Sequence, residues 1–130
     1  MHLFVYGTLL PGEVRWYHLE PFVVGGGLVD SVPGVLSDTG AGYPAASFDA
    51  AAASEGRSIT GRTFEIRDDG SDEALALLDD VEGAVAGLYR RVAVTTARGI
   101  LAWAYEYGGG LALTPIEGGS WVDRPSSTRD

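Results

Sequence analysis

The chain has 130 residues, 45% of them hydrophobic, which is enough for one globular domain with its own core and too few for two. Nine Lys and Arg against eighteen Asp and Glu give a formal charge of −9, which argues against a nucleic-acid backbone or an anionic membrane surface as partner. The absence of cysteine excludes disulfides, thiolate nucleophiles and Cys-ligated zinc or iron–sulfur sites. His2 and His18 are isolated and lack ligand spacing, so no metal and no other cofactor is expected. No apolar run approaches the roughly 20 residues of a membrane helix, and Met1 leads straight into a strand, so the expectation is a soluble, cytoplasmic protein.

Taken in order, the chain reads mainly as short strands punctuated by 19 Gly and 6 Pro, a barrel or sandwich composition. Leu3, Phe4, Val5 and Tyr6 form an apolar, β-prone run that suits a buried strand and breaks at Gly7. In Y-G-T-L, Gly7 removes a side chain at the strand end, Thr8 offers a hydroxyl, and Leu9, Leu10 and Pro11 turn the chain away. Backbone N–H groups of residues 6–9 are then free to face a ligand, although on those four letters alone a bulge is the plainer reading. Pro11 to Pro21 reads as an irregular connection whose Trp16, Tyr17 and His18 either line a cleft or cover the core. Phe22 to Asp30 reads as a strand bent by Gly25, Gly26 and Gly27, and Val32 to Ser37 with Tyr43 to Phe48 as a strand pair joined through D-T-G-A-G. Asp49 to Ser58 stays open between a helical turn and a loop.

Ile59 to Arg67 alternates as a strand, with Ile59, Phe64 and Ile66 apolar and Arg62, Glu65 and Arg67 polar. A helix follows. Ser71 is placed as N-cap, Asp72 and Glu73 suit the first turn, and Ala74, Leu77, Leu78 and Val81 take the spacing of a buried stripe, with Gly83 as the C-terminal stop. Leu88 to Thr96 and Ile100 to Tyr107 read as a hairpin turning at Arg98 and Gly99. Gly108 to Gly110 loosen the chain, a last short strand or turn lies within Leu111 to Trp121, and residues 123–130 read as a flexible tail after a domain spanning 1–122.

Glu82 breaks a local rule. It stands at the expected helix end, after core-facing Val81, where the macrodipole disfavours a carboxylate by roughly 0.3–1 kcal/mol. Asp79 and Asp80 add like charge, and both effects, with partial burial, would raise its pKa toward that of a general base working near neutrality. An ordinary surface Glu at a frayed helix end accounts for the same letters.

The motifs F-V-Y-G-T-L at 4–9, Y-P at 43–44, G-R-T-F-E-I at 61–66, L-D-D-V-E-G at 78–83 and Y-R-R-V at 89–92 occur in an order that resembles the gamma-glutamylcyclotransferase-like family. The resemblance extends through A-W-A-Y at 102–105 and G-S-W at 119–121. It implies an α+β fold, a small mixed β-barrel with short flanking helices, and an enzyme that releases 5-oxoproline from γ-glutamyl compounds. It further implies that the Y-G-[ST]-L backbone, here Tyr6, Gly7, Thr8 and Leu9, cradles the glutamyl part, and that Glu82 is the catalytic acid and base. Ser120 stands where the family often has an acidic residue, and G-A-V-A-G follows Glu82 where a proline is frequent; these departures bear on substrate choice and loop geometry.

That chemistry suits a chain without cysteine or metal ligands. The α-amine and the γ-carbonyl of a γ-glutamyl amide belong to one molecule, so attack closes a five-membered ring without an enzyme nucleophile. Glu82 would take the amine proton and later return one to the leaving amine. The Y-G-T-L backbone would hold either the α-carboxylate or the oxyanion, and Tyr6, Tyr89 and Tyr105 are candidate polar lining. A barrel of the same fold that binds a small amine or amino acid without turnover is the alternative. The leaving amine, whether amino acid, lysine side chain, polyamine or carrier-bound, and the choice between monomer and homodimer are left open by the sequence.

Overall fold

The computed structural model describes residues 1–39, 44–48, 56–86, 89–107, 114–116 and 118–122. The expected turn through residues 40–43, most of the open segment at 49–55, the glycines at 108–110 and the tail at 123–130 lie outside the described residues.

The sheet is built around β1 (His2–Val5), which is central because it is apolar on both faces. Its neighbours are β5 (Ser58–Ile66), antiparallel through Leu3↔Phe64 and Val5↔Arg62, and β7 (Leu101–Tyr107), parallel at Leu3↔Trp103. β2 (Val23–Pro33) pairs with β5 at one edge and β6 (Tyr89–Thr95) with β7 at the other, giving the order β2-β5-β1-β7-β6. A second sheet joins β3 (Val35–Asp38) to β4 (Pro44–Ser47) and to the short β8 (Thr114–Pro115). The fold is a mixed α+β fold with a curled sheet and helices, and among the described strands the ladder ends at β2 and β6 without closing into one hydrogen-bonded ring.

The period of two along β1 divides the core. Leu3 and Val5 point to one cluster, with Leu9, Leu19, Phe22, Phe64, Ala74 and Leu78, under the helices. Phe4 and Tyr6 point to the other, with Leu36, Ala46, Ile59, Ala104 and Trp121, under the second sheet. Burying each of the larger aliphatic or phenylalanine side chains contributes about 1.5–3 kcal/mol before chain entropy is charged against it.

Several boundaries differ from those expected. Tyr6 lies just beyond β1, and β2 runs on through Val32 to Pro33, so the next strand starts only at Val35. The three glycines form an irregularity between Val24 and Leu28, with Gly25 and Gly27 at positive φ of 75° and 73°, a conformation a side chain would resist. The connection from Pro11 carries the short helix α1 (Trp16–Leu19) and a 3₁₀ turn (Glu20–Phe22). Within it Trp16 packs on Phe64 at 5.2 Å, whereas Tyr17 is exposed against His18.

The long helix α2 (Ser71–Ala86) follows a 3₁₀ turn at Asp68–Gly70. Ser71 is not an N-cap: its backbone is already helical and its hydroxyl donates to the Asp68 carbonyl at 3.0 Å. Gly83 does not stop the helix, because a glycine costs a helix only about 1 kcal/mol and Ala84, Val85 and Ala86 are compatible with continuing it. Ala74 and Leu78 are fully buried, but Leu77 sits at the rim of the stripe, 37% exposed, and Val81 is half-buried. The hairpin of β6 and β7 holds the register Tyr89↔Tyr107 to Thr95↔Leu101, with Gly99 at φ 82° in its turn.

Candidate active site

β1 delivers the chain to Tyr6 and Gly7, where the ladder stops and a turn begins: the Leu10 N–H donates to the Gly7 carbonyl at 3.0 Å and the Arg15 N–H to the Thr8 carbonyl at 2.8 Å. No described group accepts from the N–H of Gly7, Thr8 or Leu9. Gly7 is needed for close approach rather than for a bulge. A Cβ there would lie 2.6 Å from Pro44 Cγ, so any side chain would push the β4 wall away.

This turn, α2 and the β6–β7 hairpin converge on one cleft. It is lined by Tyr6, Gly7, Thr8, Leu9, Glu82, Tyr89 and Tyr105, all seven residues singled out in the sequence, together with Phe4, Val5 and Pro44. Residues 7 and 82 are thus brought together across some 75 positions of sequence. The cleft encloses about 20 Å³, room for a water molecule.

The phenols in the cleft are already committed as donors. Tyr6 donates to the Tyr105 carbonyl at 2.5 Å, Tyr105 to Asp79 Oδ1 at 2.7 Å, and Tyr89 to the Pro44 carbonyl. A hydroxyl has one proton, so each offers only lone pairs to anything else in the cleft. Burial, reinforced by the Glu82 charge, holds the Tyr6 hydroxyl well above the usual phenol range, and burial followed by the Asp79 contact does the same for Tyr105.

Glu82 differs from the other buried carboxylates. Asp30 accepts from the Ser31 and Arg98 N–H groups and the Thr63 hydroxyl; burial alone would raise its pKa, but the Thr96 hydroxyl first and then these bonds outweigh it and lower it. Glu106 accepts from the Phe48 N–H and the Arg90 guanidinium. Among the described groups none donates to the Glu82 carboxyl. Although Glu82 keeps some accessible surface along the cleft, burial pushes its pKa up to about 7, against a smaller opposing pull from Arg15.

Of the reasons offered from sequence for that rise, burial stands, and the helix end and the like charge need correcting. Glu82 lies one turn inside the end of α2, where the macrodipole has weakened, and the Asp79 charge is met by the Arg91 guanidinium, which reaches its two oxygens at 3.0 and 3.3 Å. Asp79, Arg91 and Pro44 were missed as parts of the site. Asp79 precedes Glu82 by three residues, which places both on one helix face, and that spacing was the available signal.

The profile of the family described as "Gamma-glutamyl cyclotransferase, AIG2-like" matches residues 3–123. No curated protein matches the chain. Among solved structures, an uncharacterized protein from Pyrococcus horikoshii is similar at TM-score 0.68 and 21% identity, over 93% of this chain and 89% of that one. YkqA from Bacillus subtilis is similar at TM-score 0.66 and 22% identity, over 92% of this chain and 39% of that one. An aig2-like protein from Mus musculus is similar at TM-score 0.58 and 18% identity, over 95% and 83%. At these identities the likeness is one of fold. No described helix is long and apolar enough to cross a membrane.

Proposed function

Because the chain belongs to the gamma-glutamyl cyclotransferase, AIG2-like family, we propose that it releases 5-oxoproline from a γ-glutamyl amine, with Glu82 as acid and base. The observation that carries this reading is the Glu82 carboxyl itself: it lies in the same cleft as the Y-G-T-L turn, lacks a donor among the described groups, and is raised to about 7. A structural carboxylate in this fold is satisfied, as Asp30 and Glu106 are; one without a donor among the described groups and tuned to neutrality suits proton transfer.

The α-amine of the substrate, with a free carboxylate beside it, titrates above the roughly 7.7–8.0 of a chain terminus, so it arrives as an ammonium. Ionised Glu82 takes one proton from it, and the amine nitrogen attacks the γ-carbonyl carbon, forming the ring C–N bond and an oxyanion. The ring nitrogen still carries a second proton at that stage. Collapse of the oxyanion breaks the bond to the leaving nitrogen, which takes the proton held on Glu82; the freed Glu82 carboxylate then passes the second proton from the ring nitrogen to the released amine, which departs as its ammonium. A carboxyl raised to about 7 is a better proton acceptor than an ordinary carboxylate, which narrows the gap to the amine in the first transfer. The N–H groups of Gly7, Thr8 and Leu9 suit the α-carboxylate, which can only accept. The phenol lone pairs and Glu82 suit the ammonium, which can only donate.

The cleft has about 20 Å³ of room for water-sized spheres and is partly open to solvent, so a bound glutamyl group extends out of it or displaces a wall. Displacing Pro44 from Tyr89 would break the hydrogen bond that joins them. The test is a panel of γ-glutamyl compounds with amino-acid, lysine, polyamine and simple alkylamine leaving groups, assayed for 5-oxoproline. Release from at least one supports the reading, and binding without release from any supports the non-catalytic alternative.

A further inference from the structure

Asp79 sits one turn before Glu82 on the same face of α2, and three elements meet at its carboxylate. The Arg91 guanidinium of β6 donates to both its oxygens, the Tyr105 hydroxyl of β7 donates to Oδ1 at 2.7 Å, and Arg91 is itself stacked 4.4 Å over the Trp103 ring. The guanidinium orients Asp79, since a two-pronged contact fixes a carboxylate plane where a single bond would leave it free to rotate. An ionised carboxylate is an acceptor only, so the Tyr105 proton has to point at it. From this geometry we propose that Asp79 is a positioning residue: clamped by Arg91, it turns the Tyr105 hydroxyl so that its lone pairs face the cleft and accept from the substrate's α-amine. The role rests on the cyclotransferase reading and adds a residue that neither lines the cleft nor touches substrate.

Without the clamp, the Tyr105 hydroxyl is free to rotate and point its proton into the cleft, where it opposes an ammonium and competes for Glu82. The phenol would remain and the cleft would keep its shape, but the sign of its recognition would be lost. Asp79 is 43% exposed, so its amide variant stays solvated and is compatible with folding.

Two ligands differing only in the α-amine read this directly: γ-glutamyl methylamide and glutaryl methylamide, with binding measured by calorimetry at pH 7. The wild-type protein is expected to prefer the amine-bearing ligand, with the Tyr105 hydroxyl contributing roughly tenfold, the effect of one charge-assisted hydrogen bond. Tyr105→Phe and Asp79→Asn should each lower the preference by about that factor, leaving the part held by Glu82 and the other phenols, and the double variant should lose no more than either alone, because both act through one hydroxyl. Asp79→Glu, which restores an ionised acceptor, should recover part of it. If Asp79→Asn does not fold, the same cycle is run with Arg91→Gln and Tyr105→Phe.

A preference undiminished in Asp79→Asn, or losses that add in the double variant, overturns the proposal and leaves Asp79 a tie between helix and sheet. Turnover of the same γ-glutamyl ligand separates this from the catalytic reading. Glu82→Gln protein that still releases 5-oxoproline removes the reading, whereas an inactive Glu82→Gln beside an Asp79→Asn with wild-type preference removes only the positioning role.

Discussion

Replacing Glu82 by Gln keeps the size and reach of the side chain and removes its charge, so stability and activity should move in opposite directions. Burial raises the Glu82 pKa from 4.5 to about 7, and a rise of that size is a penalty of at most ~3 kcal/mol on the ionised folded form. Below pH 4.5 the folded and unfolded chains both hold the proton and no penalty arises. Between 4.5 and 7 the unfolded chain releases its proton while the folded chain keeps it, so stability falls as pH rises, and above 7 the penalty is complete. The Gln variant escapes it. At pH 8.5 its Tm should exceed that of the wild type by roughly 5–10 °C, and by pH 4.5 the gap should close. Its rate of 5-oxoproline release should fall about 10²-fold or more. Thermal melts across that pH range, with product assays at each pH, decide the matter. A Gln variant no more stable than the wild type at pH 8.5, or a gap that does not shrink on acidification, refutes the claim that a buried charge is being carried for chemistry.

The remaining predictions follow from the same cleft. The profile of kcat/KM against pH should be bell-shaped, rising through about 7 as Glu82 ionises and falling above about 8 as the free substrate amine loses its proton; a profile flat from pH 6 to 8 contradicts it. Gly7→Ala forces a Cβ to within 2.6 Å of Pro44 Cγ, and should destabilise by about 1–3 kcal/mol and impair turnover, checked by melting and by KM. Leu78→Ala removes a fully buried side chain from the helix that carries Glu82 and should cost about 2–5 kcal/mol in denaturant unfolding. Turnover should survive EDTA, since the chain lacks cysteine and its His2 and His18 are isolated in sequence; loss in EDTA that added metal restores would contradict this.

What the sequence disclosed of this fold depended on how local the cause was. The unbroken apolar run at Leu3 to Tyr6 marked a strand buried on both faces, and its place at the sheet centre follows. The β6–β7 hairpin was readable because Arg98 and Gly99 supply its turn locally. Helix ends were not: Gly83 reads as a stop, but the residues after it continue the helix, and Ser71 reads as a cap although the preceding 3₁₀ turn already sets its backbone. Leu77 matches the periodic pattern yet sits at its rim, because only packing against particular neighbours decides the width of the stripe. The cleft residues were legible chiefly through motif resemblance. Pro44 and Asp79 were not, because their roles are set by partners distant in sequence, Gly7 for the one and Arg91 and Tyr105 for the other.

The central claim is that the α-amine of the substrate, and not water, attacks the γ-carbonyl. Turnover of γ-glutamyl amides in ¹⁸O-labelled water, with products resolved by mass, tests it most directly. The account predicts 5-oxoproline without label, formed together with the free amine and lost in Glu82→Gln. Labelled glutamate as the product, or unlabelled 5-oxoproline formed equally fast by Glu82→Gln, contradicts it.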